Sequence, residues 1–463
     1  MAETNAAQTP SKKPSSVRHT RAIQRDRRTR PTVGPSAVQV EAHLNELVRP
    51  AVYAQVAAYQ AMGLRHRLLT LPVLVAFVLS VLWRHIGSAR EAVRVLEQEG
   101  VLWTPPLRVS PQAVNRRLRT LPPELFRRVL EDVLPVLHAR WRERTDAPPP
   151  TQRPVPPVLV RARQRFGSVL AVDGSTLDVL LRKVGLLRNA RNARNGDGPV
   201  LAGRMAALLD VVAALPRRVW FEPDSQAHDQ RFWERILLAL EPTTLLLFDL
   251  GFVNHALFDR LTEAGVGLLT RARQNAAYRV ERVLAWGQDT YDQLITLGSG
   301  DTRCAHPMRL VGVRHAGKWY RYLTNVLDPS VLPATDVAPL YAARWRVEDA
   351  FLAVKRLLGL AYFYVGAANA VQTQLWATWL LYAVLVDLTD AVAAALRQPF
   401  RAISLEMVYR GLYHFTQAVQ RGAATATDPA AYLAAHAKSL GLVKRPRPPA
   451  TAKLRHLTTP HDP

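Results

Sequence analysis

Tyr341, Arg344, Glu348 and Lys355 are the residues whose types and spacing point most directly to chemistry. Read as one helix at about 100° per residue, they fall at roughly 0°, 300°, 340° and 320°, inside an arc of about 60°. Val347, Ala350, Phe351, Val354, Leu357 and Leu358 fill the arc from roughly 160° to 280° and read as a core-facing stripe. Arg346, Asp349 and Arg356 point the other way, toward solvent. One acid, two cations and a phenol therefore share a stripe between core and water. A carboxylate beside two cations suits a site that holds a metal ion and phosphates together. A surface helix braced by i,i+4 ion pairs would show the same charges.

Two further segments bear on that choice. Gly167-Ser-Val-Leu-Ala-Val-Asp173-Gly-Ser-Thr176 is a short apolar run ending in an acid and a glycine turn, and Thr243-Thr-Leu-Leu-Leu-Phe-Asp249-Leu-Gly251-Phe252 repeats the pattern. A buried strand of this kind delivers its last residue to the sheet end, where sites in α/β folds sit. Each acid taken singly also reads as a strand-end turn former. Two such strands followed by an acid-bearing helix, in the order Asp, Asp, Glu, are much harder to dismiss.

The spacing Y-x2-R-x3-E-x6-K resembles the signature of the DDE transposases of bacterial insertion sequences, specifically the insertion-sequence-four family. The resemblance extends roughly from Leu64 to Leu388. It implies a catalytic triad of Asp173, Asp249 and Glu348 on an α/β, ribonuclease-H-like core, with the first two acids on strands and the third on a helix after a long insertion. About 100 residues separate Asp249 from Glu348, too many for a simple connection. Tyr278-Arg-Val-Glu-Arg-Val, Met308-Arg-Leu-Val-Gly-Val and Trp319-Tyr-Arg-Tyr-Leu-Thr read as strands of an inserted β-rich subdomain, with Gly317 turning between the last two. Thr324-Asn325, the lead-in from Leu332 to Tyr341 and the pair His228-Asp229 are family-like as well. One departure follows Asp249: Leu250-Gly251-Phe252 stands where relatives often carry a basic residue and Gly-Tyr, which puts a phosphate or hydroxyl contact in doubt.

Composition agrees. Lys and Arg number 61 against 37 Asp and Glu, a net charge of +24, which is the electrostatic footprint of a nucleic-acid partner. A GC-rich genome would favour Arg, but not so large an excess over acids. The apolar stretches Leu68–Trp83 and Leu375–Val386 fall short of the ~20 residues needed to span a membrane. The N-terminus lacks a signal peptide's apolar region, and Cys304 is the only cysteine, so neither a disulfide nor a cysteine zinc site is expected. These features point to the cytoplasm, with no membrane partner.

The chain divides into a basic arm expected to be disordered (1–36), a helical, DNA-binding region (37–144), a proline-rich linker (145–157), the first part of the core (158–272), the β-rich insertion (273–335), the core's completion with C-terminal helices (336–440) and a basic tail (441–463). Ser110-Pro111 opens a helix exposing Asn115, Arg116, Arg117 and Arg119; it could enter a major groove or simply be a solvated basic face.

The resemblance implies two Mg²⁺ ions, with Mn²⁺ as a substitute, Asp173 bridging them and Asp249 and Glu348 holding one each. Two ions about 3.5–4 Å apart hold the attacking and leaving oxygens of a phosphodiester. The DNA partners are then terminal inverted repeats and target duplex, handled by a homodimer in a synaptic complex at the bacterial nucleoid. Tyr341, Arg344 and Lys355 would grip phosphates near the scissile bond, with Arg271 and Arg273 adding charge. Trp286 and Trp319 could stack on an unpaired base or simply pack. Relatives pass through a hairpin at the excised end. A nuclease without strand transfer, and a domesticated relative that only binds DNA, are the alternatives.

Overall fold

The run Thr244–Phe248 is buried at every position, as expected of a parallel strand covered on both faces. It lies in the middle of a nine-stranded sheet. In chain order the strands are β1 (Ser168–Leu177), β2 (Gly203–Asp210), β3 (Leu215–Glu222), β4 (Thr244–Phe248), β5 (Gly267–Arg271), β6 (Tyr278–Trp286), β7 (Thr290–Leu297), β8 (Met308–His315) and β9 (Lys318–Thr324). Their spatial order is β3-β2-β1-β4-β5-β9-β8-β7-β6. β1, β4 and β5 run parallel, while β2, β3 and the last four strands are antiparallel to their neighbours. The computed structural model describes residues 37–64, 66–146, 154–177, 203–224, 227–360, 367–424 and 428–445. The basic arm 1–36, residues 147–153 of the linker and the tail 446–463 lie outside the described residues.

The three strands expected between the second and third acids are present, and Leu269↔Thr324 pairing makes them a continuation of the main sheet. A fourth, β7, was not legible in the sequence because it buries Asp292 and Gln293 where a strand pattern calls for apolar residues. Asp292 is matched by the fully buried Arg309, whose Nε donates to it at 2.7 Å. β8 turns into β9 through Ala316 and Gly317, both with positive φ, the two-residue turn that suits a hairpin's twist.

Helices cover both faces. From the N-terminal side come α1 (Ala37–Leu47), α2 (Arg49–Ala54), α3 (Val56–Ala61), α4 (Leu71–Trp83), α5 (Ala89–Gln98), α6 (Pro111–Thr120), α7 (Glu124–Asp146) and α8 (Pro157–Arg165). After β3 follow α9 (Trp233–Leu237) and α10 (His255–Glu263), and after β9 come α11 (Ala334–Ala342), α12 (Trp345–Leu352), α13 (Ala368–Ala395), α14 (Leu405–Gln420) and α15 (Pro429–Ala435). As expected, Ser110 caps α6 by accepting from Ala113 N–H, with Pro111 in the first turn.

The sequence pattern predicts a largely apolar helix over Thr373–Leu396 packed under the core, and α13 is that helix, 28 residues long with an apolar window of mean hydropathy 1.5. It meets the length and composition of a membrane span, yet 89% of that apolar window is buried inside the fold, which is the setting of a core helix. It packs against α4, α6, α7, α14 and α15. Arg144 of α7 ties onto its buried Asp387 and Asp390.

Alternation along β1 separates two cores. Val169 and Ala171 join the N-terminal helices and α13, whereas Leu170 and Val172 join α9 and α10 on the other face. By the same period of two, Asp173 faces the side on which α12 lies.

Candidate active site

The parallel ladder between β1 and β4 ends at Val172↔Phe248. The next residue on each strand is an acid, so Asp173 and Asp249 stand side by side, with strand axes about 4.8 Å apart. Beyond this point the two chains differ. β4 stops, and Asp249 caps a short 3-10 turn by accepting from Gly251 N–H at 2.9 Å. β1 does not turn at Gly174 as the sequence reading expects; it continues to Leu177, paired with β2 alone. Asp173 Oδ1 accepts from the following Gly174 N–H at 2.8 Å.

The stretch holding the other four residues is not one straight helix. α11 ends at Ala342, α12 begins after Arg344, and residues Ala353–Leu357 form a π-turn. π-turns of this kind are frequent at functional sites. Arg344 and Lys355 nonetheless reach β1, and Glu348 is joined to it through Arg344. Arg344, only 5% exposed, lies between two acids, with Nη1 donating to Asp173 Oδ2 at 3.1 Å and Nη2 to Glu348 Oε1 at 3.0 Å. The rings of Tyr341 and Trp345 flank its guanidinium at 5.7 and 5.2 Å. Lys355 Nζ donates to Ser175 Oγ at 2.7 Å and to the Thr176 carbonyl at 2.6 Å. Tyr341 is buried against Tyr322.

Burial dominates the electrostatics of the site, with Arg344 opposing it. Burial pushes the Asp173 carboxyl up to about 7, against the pull of Arg344, and Asp249 and Glu348 add to the rise. Burial also raises Glu348, again opposed by Arg344. The Tyr341 hydroxyl is raised by burial and drawn back by Arg344 and Arg271. Arg271 thus lies within electrostatic reach of the site, its guanidinium over Tyr320 at 5.7 Å. Arg273 sits in the exposed turn beyond β5, its carbonyl accepting from Ala276 N–H at 3.2 Å and from Arg321 Nη2 at 3.4 Å.

Arg346 points away from the acids, as the helical reading expects, but not into solvent. It donates to the carbonyls of Val211 and Val212 and fastens α12 to the turn after β2. Trp286 and Trp319, 68% and 42% exposed, flank Tyr291 with ring centroids at 5.4 and 5.1 Å. Tyr291 belongs to β7, the strand that the sequence pattern hides. Asp229 stands out in the sequence only as part of a pair, yet it is a fourth carboxylate at this edge. Arg204 Nε donates to it at 2.8 Å, and burial raises its pKa, with Arg204 opposing.

Among the described residues no three His, Cys, Asp or Glu side chains close around a single point. The arrangement is pairwise: Asp173 beside Asp249, and Asp173 joined to Glu348 through Arg344. The side chains that could hold a cation here offer carboxylate oxygens, the donor type that suits Mg²⁺ or Mn²⁺.

Residues 164–384 match the family described as Transposase DDE domain. The chain is also similar to "Putative transposase y4zB" of Sinorhizobium fredii, with 28% identity over 198 residues, covering 41% of this chain and 54% of that protein. It therefore spans about half the length of the curated relative it matches. A solved structure titled as a piggyBac transposase synaptic complex with hairpin DNA aligns over 92% of this chain and 88% of that one, at a TM-score of 0.37 and 12% identity.

Proposed function

We propose that this chain, with its transposase DDE domain at residues 164–384, cleaves DNA strands at the ends of a mobile element and joins them to target DNA. The observation that carries the reading is the convergence of Asp173, Asp249 and Glu348 at one sheet edge, with Arg344 between the first and the last. A ribonuclease-H-like core is supported by three antiparallel strands, β3-β2-β1, followed by parallel β4 and β5. Placement in the insertion-sequence-four family is supported by the Y-x2-R-x3-E-x6-K spacing, whose Arg344 and Lys355 reach β1 while Glu348 and Tyr341 lie against Arg344.

In this reading Asp173, Asp249 and Glu348 would hold the divalent ions, Mg²⁺ or Mn²⁺. When bound, such ions lower the pKa of an attacking water or hydroxyl and offset charge on the phosphate. The chain's own residues do the rest. Arg344, planar and buried, is suited to a bidentate grip on a phosphate. Lys355 supplies a point charge beside the end of β1, and the Tyr341 hydroxyl lines the same stripe. Arg271 adds positive field from β5. Burial of Asp173 keeps the acids in a site where opposite charges attract strongly, so phosphate and metal reinforce each other.

The DNA partners are duplex element ends and target duplex, with a net charge of +24 favouring the encounter. Helical residues 37–144, including the basic face of α6, are the region assigned to DNA binding, and a homodimer is the assembly assigned to synapsis. The reading is tested by incubating the protein with duplex carrying the inverted repeats that flank its gene, in Mg²⁺ or Mn²⁺. Strand cleavage leaving a 3′-hydroxyl, followed by joined product, is expected. Cleavage without joining would favour a nuclease, and binding without cleavage a DNA-binding relative.

A further inference from the structure

Both strand acids are followed by a glycine, Gly174 directly after Asp173 and Gly251 two residues after Asp249. Neither has the positive φ that would require glycine. At Gly174 space is the reason instead: a Cβ there would lie 1.9 Å from Asp229 Oδ1. At Gly251 a Cβ would lie 3.1 Å from Asp249 Oδ1 and in ordinary contact, 3.4 Å, with Asp229 Oδ2. One carboxylate, from a segment outside both motifs, rests on the two glycines that carry the acids' own N–H contacts.

That carboxylate is not free to swing aside. Arg204 of β2 donates to Asp229 through Nε at 2.8 Å and pairs through Nη2 at 2.6 Å. Arg204 is itself held by the Ala227 carbonyl at 3.1 Å. The residues after Asp229 are fastened to the turn beyond Asp249, with Gln230 Nε2 donating to the Val253 carbonyl at 3.3 Å and Trp233 Nε1 to that of Phe252 at 3.1 Å. Asp229 therefore joins β2, β1 and the β4 turn at the level of the acids.

We propose that Asp229 is a positioning residue: clamped by Arg204, it fills the space over Gly174 and Gly251 and sets the separation of Asp173 from Asp249. The proposal rests on the transposase reading of this site. Outer groups that orient metal ligands typically contribute about 10- to 100-fold in affinity or rate. Asp229→Ala should therefore raise the Mg²⁺ concentration for half-maximal cleavage, and weaken Mn²⁺ binding followed by electron paramagnetic resonance, by about that factor, while DNA affinity stays close to wild type. Asp229→Asn keeps the volume and an oxygen for Arg204, and should recover most of the loss. Gly174→Ala should be damaging alone but add nothing to Asp229→Ala, because the atom it collides with is then gone.

Wild-type Mn²⁺ affinity and metal half-saturation in Asp229→Ala would overturn the proposal, as would Asn and Ala variants equally impaired. If Asp229→Ala fails to fold, Asp229→Asn and Gly174→Ala still decide: a harmless Gly174→Ala overturns it. If the wild type cuts no DNA, the functional reading fails, and Mn²⁺ binding still tests the placement of Asp229.

Discussion

Replacing Asp173 with Asn should make the metal-free protein more stable at alkaline pH while abolishing cleavage. In the fold, burial lifts the Asp173 carboxyl from 3.8 to about 7 even though Arg344 stands beside it. Between those values the folded protein holds a proton that the unfolded chain has released. Stability therefore falls as pH rises through that window, and the loss is complete above about 7. At about 1.36 kcal/mol per pKa unit, the loss grows by roughly 2.5 kcal/mol between pH 5 and pH 8. The amide of Asp173→Asn would mimic the protonated acid and still accept from Arg344 Nη1. Urea unfolding in chelator at the two pH values should show the variant's advantage widening by roughly that amount toward pH 8. Mg²⁺ at about 100 times its Kd should then stabilise the wild type by about 2.7 kcal/mol and leave the variant unmoved. An advantage that is flat or shrinks toward pH 8 would refute the reasoning, because it would mean that Arg344 outweighs burial at this carboxylate.

Arg344→Ala should lower single-turnover cleavage at saturating DNA by about 10²–10³-fold, with Arg344→Lys recovering only part because it loses the planar fork; a Lys variant at wild-type rate would remove the bidentate role. Lys355→Ala should also act on cleavage more than on affinity, measured by comparing rate with binding on one duplex. Arg346→Ala should instead cost about 1.5–3 kcal/mol of stability through its lost carbonyl contacts, read by denaturation, and affect cleavage per folded molecule much less than Arg344→Ala. DNA binding should weaken steeply with salt, and deleting residues 1–36 should flatten that slope if the arm contacts phosphates.

Much of the site was legible because its residues sit where local rules hold. Apolar runs ending in Asp173 and Asp249 are strands delivering acids to a sheet edge, and Arg344, Glu348 and Lys355 keep to the side of β1 despite the break at Ala343 and the π-turn at Ala353–Leu357. What escaped depends on contacts distant in sequence. β7 hides behind the buried Asp292–Arg309 pair, which no strand pattern anticipates. The role of Asp229 rests on Arg204 and on two glycines in other elements. Arg346 reads as a solvent residue on a helical wheel because the wheel does not know that the turn after β2 lies against that face.

The central claim is that Asp173, Asp249 and Glu348 form one metal-dependent DNA-cleaving site. The most direct test compares wild type with Asp173→Ala, Asp249→Ala and Glu348→Ala for single-turnover cleavage of an element-end duplex in Mg²⁺, with DNA affinity measured in parallel. Loss of cleavage in all three, with affinity retained because basic residues supply most of it, is the predicted result. Undiminished cutting by any one of them would contradict the assignment of that carboxylate and the pairwise site built on it.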